Sequence, residues 1–175
     1  MENAIKIAKQ ENLTKLICLL LLGSGLITLG SLLRIPCYPV PFTLQTLALF
    51  IVGLTQTPRI AMGSALCYLL WGTLGLPVFA GHPNPLWLSG PCAGYLIAFP
   101  LATYLISRIS QSCHPFIAIL CGQMIIYLIG FLWLIPFVGL TNAWMKEVVF
   151  FLPSGLLKNF LAFMMTNLWN KWRRS

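Results

Sequence analysis

Charged residues are so sparse along this chain that the gaps between them outline its elements. Residues 16–33 run for 18 positions without charge, 35–58 for 24, 60–107 for 48 and 109–145 for 37. A helix needs roughly 20 mostly apolar residues to cross a bilayer. The 48-residue run holds two such helices, broken at GHPNP, residues 81–85. The pattern predicts six spans, at about 13–33, 42–56, 60–79, 91–108, 115–139 and 148–169. Gly and Pro recur and no ten-residue alternating segment appears, which argues against a β-barrel. The expected fold is an all-α integral membrane protein with six transmembrane helices, one domain over 1–175.

Composition sharpens this. Of the 175 residues 58% are hydrophobic and 8% charged, and the mean hydropathy is +0.85. A soluble domain carries roughly 25% charged residues, so this surface is expected to face lipid. The first span is longer than a signal-peptide core and no small-residue cleavage site follows it. It is expected to stay in the mature protein.

The net charge of +8 is unevenly placed. Lys6, Lys9 and Lys15 precede span one, Arg59 and Arg108 fall in alternate loops, and Lys171, Arg173 and Arg174 end the chain. Six spans put all of these on one side, leaving Arg34 and Lys146 on the other and Lys158 inside the last span. Positive loops stay in the cytoplasm. Both termini are therefore expected to be cytoplasmic in a multi-pass cell-membrane protein, with the basic tail against lipid headgroups rather than nucleic acid.

Several chemistries are excluded. The chain has no aspartate, and its only acids are Glu2, Glu11 and Glu147, so paired-carboxylate catalysis within the spans is ruled out. No GxxxxGK[ST] loop exists to cradle a nucleotide. The six cysteines form no CxxC pair, and the two histidines, His82 and His114, fall on opposite sides. A zinc site needs three or four converging ligands. No catalytic residue, metal or cofactor is expected. A Cys37–Cys92 disulfide near the outer face is left open.

Three stretches stand out. In RIPCYPVPFTLQT, residues 34–46, Pro36, Pro39 and Pro41 enforce an extended course, and Pro41 suits the first position of the next helix. Thr43 and Gln45 then bring hydrogen-bonding groups to a helix start. In GLPVFAGHPNPLWLSGPCAGYL, residues 75–96, Phe79, Trp87 and Tyr95 either form an interfacial belt or wall a pocket. In FLPSGLLKNF, residues 151–160, Lys158 is the only charge in its span. It either snorkels outward or awaits an anionic ligand. In span one, Ser24 and Thr28 are spaced small-xxx-small, for packing within the chain or against a second membrane protein.

The ordered motifs RIPCYPVPFTLQT, YLLWGTLGLPVFAG, GPCAGYLIAFP and LPSGLLKNF resemble the BioY family, the biotin-binding S components of energy-coupling factor transporters. The likeness runs from about Ser24 to Phe160. It implies an S-component-like bundle that binds biotin near the outer face, beneath the first and third loops. It also implies partnership with a transmembrane coupling protein and two ATPases, Ser24 and Thr28 lying at the coupling-protein interface. The substrate-binding candidates are Thr43, Gln45, Phe79, Trp87, Tyr95, Lys158 and Asn159. Two positions depart from the family pattern: Cys92 follows Gly90-Pro91 where the family has threonine, and Gly155 stands where it has an aspartate. Altered selectivity, or replacement of that acid by Ser154 or Asn159, is left open. So are a lipoate-like or dethiobiotin ligand, a small membrane enzyme, a ligand-free scaffold, and a homo-oligomer.

Overall fold

The computed structural model describes residues 2–35, 42–146, 155 and 157–165. Its elements are α1 (Glu2–Leu32), β1 (Arg34–Ile35), β2 (Phe42–Thr43), α2 (Gln45–Thr55), α3 (Pro58–Thr73), α4 (Ala93–Ile109), α5 (Pro115–Val138) and α6 (Leu140–Lys146). A single 3-10 turn spans Trp87–Ser89, and residues 157–165 form a further helix, α7. Among the described residues the architecture is all-helical apart from one two-residue ladder and an isolated bridge between Phe79 and His82. The stretch 36–41 with its three prolines and Cys37, most of 147–156 including Ser154, and the basic tail lie outside the described residues.

α4 lies at the centre, against α5, α3 and α2, while α1 packs on α3 and α2. Phe163 of α7 meets His114 and Phe116 at the start of α5, with ring centroids 5.1 and 5.9 Å apart. At the other end of the same helix face, Gly155 lies against Gln123 and Tyr127 of α5. The two helices therefore run antiparallel, with Asn159 between these contacts.

Close approach depends on missing side chains. A methyl group at Gly122 would come within 2.3 Å of Ile106, and one at Gly130 within 2.2 Å of the Tyr95 ring. Larger residues would push α5 off α4. The bundle is apolar outside and hydroxyl-rich inside. Leu22, Met124 and Leu128 are more than half exposed, whereas Ser24, Ser31, Ser64, Thr103 and Asn159 are fully enclosed. Leu13–Leu32 and Pro115–Val138 are each long and apolar enough to cross a membrane.

Three boundaries differ from the expectation. Helix α2 begins at Gln45 rather than at Pro41 or residue 42, because Phe42–Thr43 pairs antiparallel with Arg34–Ile35. Leu44 N–H then donates to Leu33 O at 3.0 Å, supplying a carbonyl beyond the end of α1 with a donor. α3 ends at Thr73, short of 79. Gly75 follows at φ +85° and Pro77 prevents the helix from resuming. Residues 140–146, expected as a connection, form α6 after Gly139 breaks the helix at φ +80°. Of the expected span 148–169, residues 155 and 157–165 lie among the described residues, and they are helical as expected.

Candidate functional site

One end of the bundle gathers the C-termini of α1, α3 and α5 and the N-termini of α2 and α4. A pocket of about 300 Å³ opens there. Gln45 and Thr46 reach it from the first turn of α2, Thr43 from β2 and Arg34 from β1. Tyr68 comes from α3, Tyr95 and Phe99 from α4, Ile126 and Tyr127 from α5, and Lys158 from α7. The long connection between α3 and α4 supplies Phe79, Ala80, His82, Asn84 and Trp87.

Of the seven expected ligand contacts, Thr43, Gln45, Phe79, Trp87, Tyr95 and Lys158 line this one pocket. Asn159 does not. It is fully buried behind the wall, and among the described residues neither its Oδ1 nor its Nδ2 has a hydrogen-bond partner. The aromatic residues are not a lipid-facing belt, since Trp87 and Tyr95 are each only 7% exposed. Phe79 meets Tyr68 edge-on at 5.4 Å and tilts against Trp87 at 5.6 Å. The Trp87 indole N–H donates to Thr73 Oγ1 at 3.0 Å. Lys158 is buried yet borders the pocket.

A relay orders the polar corner. Gln45 Nε2 donates to Tyr68 Oη at 2.7 Å. Tyr68 Oη donates to Val78 O at 3.1 Å. A carbonyl only accepts, so the tyrosine proton is committed to Val78 and Tyr68 can only accept from the amide. This turns Gln45 Nε2 toward Tyr68 and leaves Oε1 as an acceptor on a pocket-lining side chain.

Sequence reasoning missed Tyr68, Tyr127, Phe99, Arg34, Thr46, His82 and Asn84. Arg34, His82 and Asn84 stood inside stretches already singled out, so their polarity was a usable signal. Tyr68 opens the YLLWGTLGLPVFAG motif, but it and Tyr127 sit within apolar helices, where residue type alone does not separate a pocket wall from a core.

Ser24 and Thr28 are not equivalent. Ser24 was expected on a partner-facing side, but it is fully buried and donates to Leu20 O at 2.7 Å within its own helix. Its side chain is enclosed by the bundle before any partner arrives. Thr28 is half-buried and bonds to Ser24 O. The open side of α1 carries Leu21, Leu22 and Leu29, with Gly25 among them, where an added Cβ would meet nothing within 4 Å. Cys37 lies outside the described residues, so its pairing with Cys92 does too. Among the described residues, no three metal-ligating side chains cluster.

Comparison with known proteins agrees with this architecture. The chain superposes on the crystal structure of the S-component for biotin from an ECF-type ABC transporter with a TM-score of 0.80, at 23% identity, covering 92% of this chain and 93% of that one. It is 36% identical over 145 residues to the "Probable biotin transporter BioY" of Pyrococcus horikoshii, covering 82% of this chain and 89% of that protein. It is 40% identical over 122 residues to the "Biotin transporter BioY2" of Lactococcus lactis, covering 66% of this chain and 67% of that protein. The model of the BioY family matches residues 1–175, and the chain belongs to that family.

Proposed function

We propose that this chain takes up biotin, as the membrane component that captures the vitamin for an ECF-type transporter. The observation that carries this is the convergence of aromatic side chains, the Gln45 amide and the Lys158 ammonium on one pocket. Biotin has an apolar thioether ring, a ureido group that both donates and accepts, and a carboxylate. Aromatic walls with a few placed polar groups suit such a molecule, and the pocket volume lies at the small-ligand end of the usual range. Gln45 Oε1 takes a ureido N–H, and Lys158 meets either the carboxylate or the ureido oxygen. Mass spectrometry of small molecules co-purified with the protein, followed by titration with biotin, dethiobiotin, lipoate and biotin amide, tests this. Recovery of a different molecule, or equal affinity for lipoate, would reject biotin as the ligand.

With no nucleotide-binding loop of its own, the chain depends on other subunits to accumulate its ligand, a transmembrane coupling protein and two ATPases. Their contact falls on the open leucine face of α1 around Gly25 and Thr28. The pocket faces outward and both termini are cytoplasmic, following the basic loops. In a cysteine-free background, an impermeant thiol reagent should then label a cysteine at Asn84 from outside and spare one at Gln111. The reverse pattern would invert this orientation.

A further inference from the structure

The pocket wall includes a turn that nothing in α3 or α4 holds by helix geometry. Phe79 sits at its centre, between Val78 and Ala80. Its ring lies against Gly72, where even a methyl group would collide with the ring. Ala80 adopts φ +50°, a left-handed conformation that a Cβ makes sterically unfavourable. Such a conformation persists only where surrounding contacts impose it.

Within the turn, His82 N–H donates to Phe79 O at 3.1 Å across Ala80 and Gly81, both at positive φ; the contact that α1 adds is Ser31. It lies on α1, 47 residues before Val78, is fully buried, and does not line the pocket. Its Oγ accepts the Ala80 N–H at 2.7 Å and donates its proton to Val78 O. A single hydroxyl thus satisfies both sides of the residue that carries the aromatic ring. An alanine can do neither, and a thiol only weakly. The Tyr68 hydroxyl shares the Val78 carbonyl, which ties the same turn to Gln45.

We propose that Ser31 is a positioning residue for ligand retention: from behind the pocket wall it latches the 78–80 turn, keeps Phe79 in place, and so sets the rate at which ligand leaves. The ligand rests on the biotin reading above, but the latch does not. Loops that close over ligands often govern release rather than encounter. Removing the Ser31 hydroxyl is therefore expected to act on dissociation more than on association.

The test uses the full chain in detergent. In ligand-free protein, Ser31→Ala should speed amide hydrogen exchange across residues 78–80, because the Ala80 N–H loses its acceptor. With radiolabelled biotin chased by unlabelled biotin, the same substitution should raise the dissociation rate by about tenfold, near 1.4 kcal/mol, and leave association nearly unchanged. Phe79→Ala should also speed release, and adding Ser31→Ala to it should have little further effect, since the serine acts through that ring. Ser31→Cys, nearly the same shape, should fall between wild type and Ser31→Ala, and it carries the comparison should the alanine variant fold poorly. Unchanged hydrogen exchange, an unchanged dissociation rate, or independent and additive effects of the two substitutions would each overturn the latch. Failure of the wild type to hold biotin would count against the ligand, whereas the exchange arm judges the latch by itself.

Discussion

Gln45 and Tyr68, 23 residues apart and on different helices, share a 2.7 Å hydrogen bond that decides which face of the glutamine amide the pocket receives. The tyrosine proton is already given to Val78 O, so the amide has one stable orientation. Tyr68→Phe removes that constraint and strands a buried donor. An unmet buried polar group costs about 1–3 kcal/mol, and 1.4 kcal/mol is tenfold in affinity. Isothermal titration should therefore show biotin bound about tenfold more weakly by Tyr68→Phe. An affinity equal to wild type would mean that the relay does not orient Gln45 for the ligand.

Of the two cations that line the pocket, Arg34 and Lys158, Lys158 is the buried one. Truncating a buried, hydrogen-bonded charged partner costs about 2–5 kcal/mol. Lys158→Met should weaken biotin binding by at least about thirtyfold, without loss of folding, since it removes a charge from a membrane-embedded site. Biotin amide separates the two ends of the ligand. If Lys158 meets the carboxylate, the amide binds wild type poorly and the mutant no worse. If it meets the ureido end, the amide penalty persists in the mutant. Full biotin affinity in a folded Lys158→Met protein would remove the lysine from the site.

Asn159 should behave in the opposite way. It is fully buried, its Oδ1 and Nδ2 lack partners among the described residues, and it lies outside the pocket. Replacing an unsatisfied buried amide by an apolar side chain of similar size is neutral or stabilising. Asn159→Leu should keep or raise the thermal midpoint in detergent and leave biotin affinity unchanged. A clear loss of binding in a protein of undiminished stability would return Asn159 to the ligand site.

The two sides of α1 are distinguished by substitution size. Gly25 faces open space and Ser24 is enclosed. Gly25→Leu should preserve biotin binding while weakening co-purification of the coupling protein. Ser24→Trp should damage the fold itself and lower both, because a large ring has no room inside the bundle. Unimpaired assembly with Gly25→Leu would move the partner contact off this face of the helix.

The helical membrane class and the candidate stretches are legible in the chain because they depend on local facts. In lipid a run satisfies its backbone only in a helix or a closed barrel, the absence of alternation leaves the helix, and proline-rich, polar or charged segments stand out against leucine wherever they occur. Gln45, Phe79, Trp87 and Lys158 were conspicuous for that reason. What only the tertiary structure decided is how distant elements meet. Tyr68 and Tyr127 become pocket walls through the crossing of α3 and α5 with their neighbours, and Asn159 is turned behind the wall although it adjoins Lys158 in sequence. The α2 start is moved to Gln45 by a hydrogen bond between Leu33 and Leu44. Ser24 is buried and Gly25 turned toward open space by the rotation of α1 on α2 and α3. Composition and periodicity identify an element and its environment, but which face turns inward, and which hydroxyl finds which carbonyl, is set by contacts 20 to 50 residues away, as with Gln45–Tyr68 and Ser31–Val78.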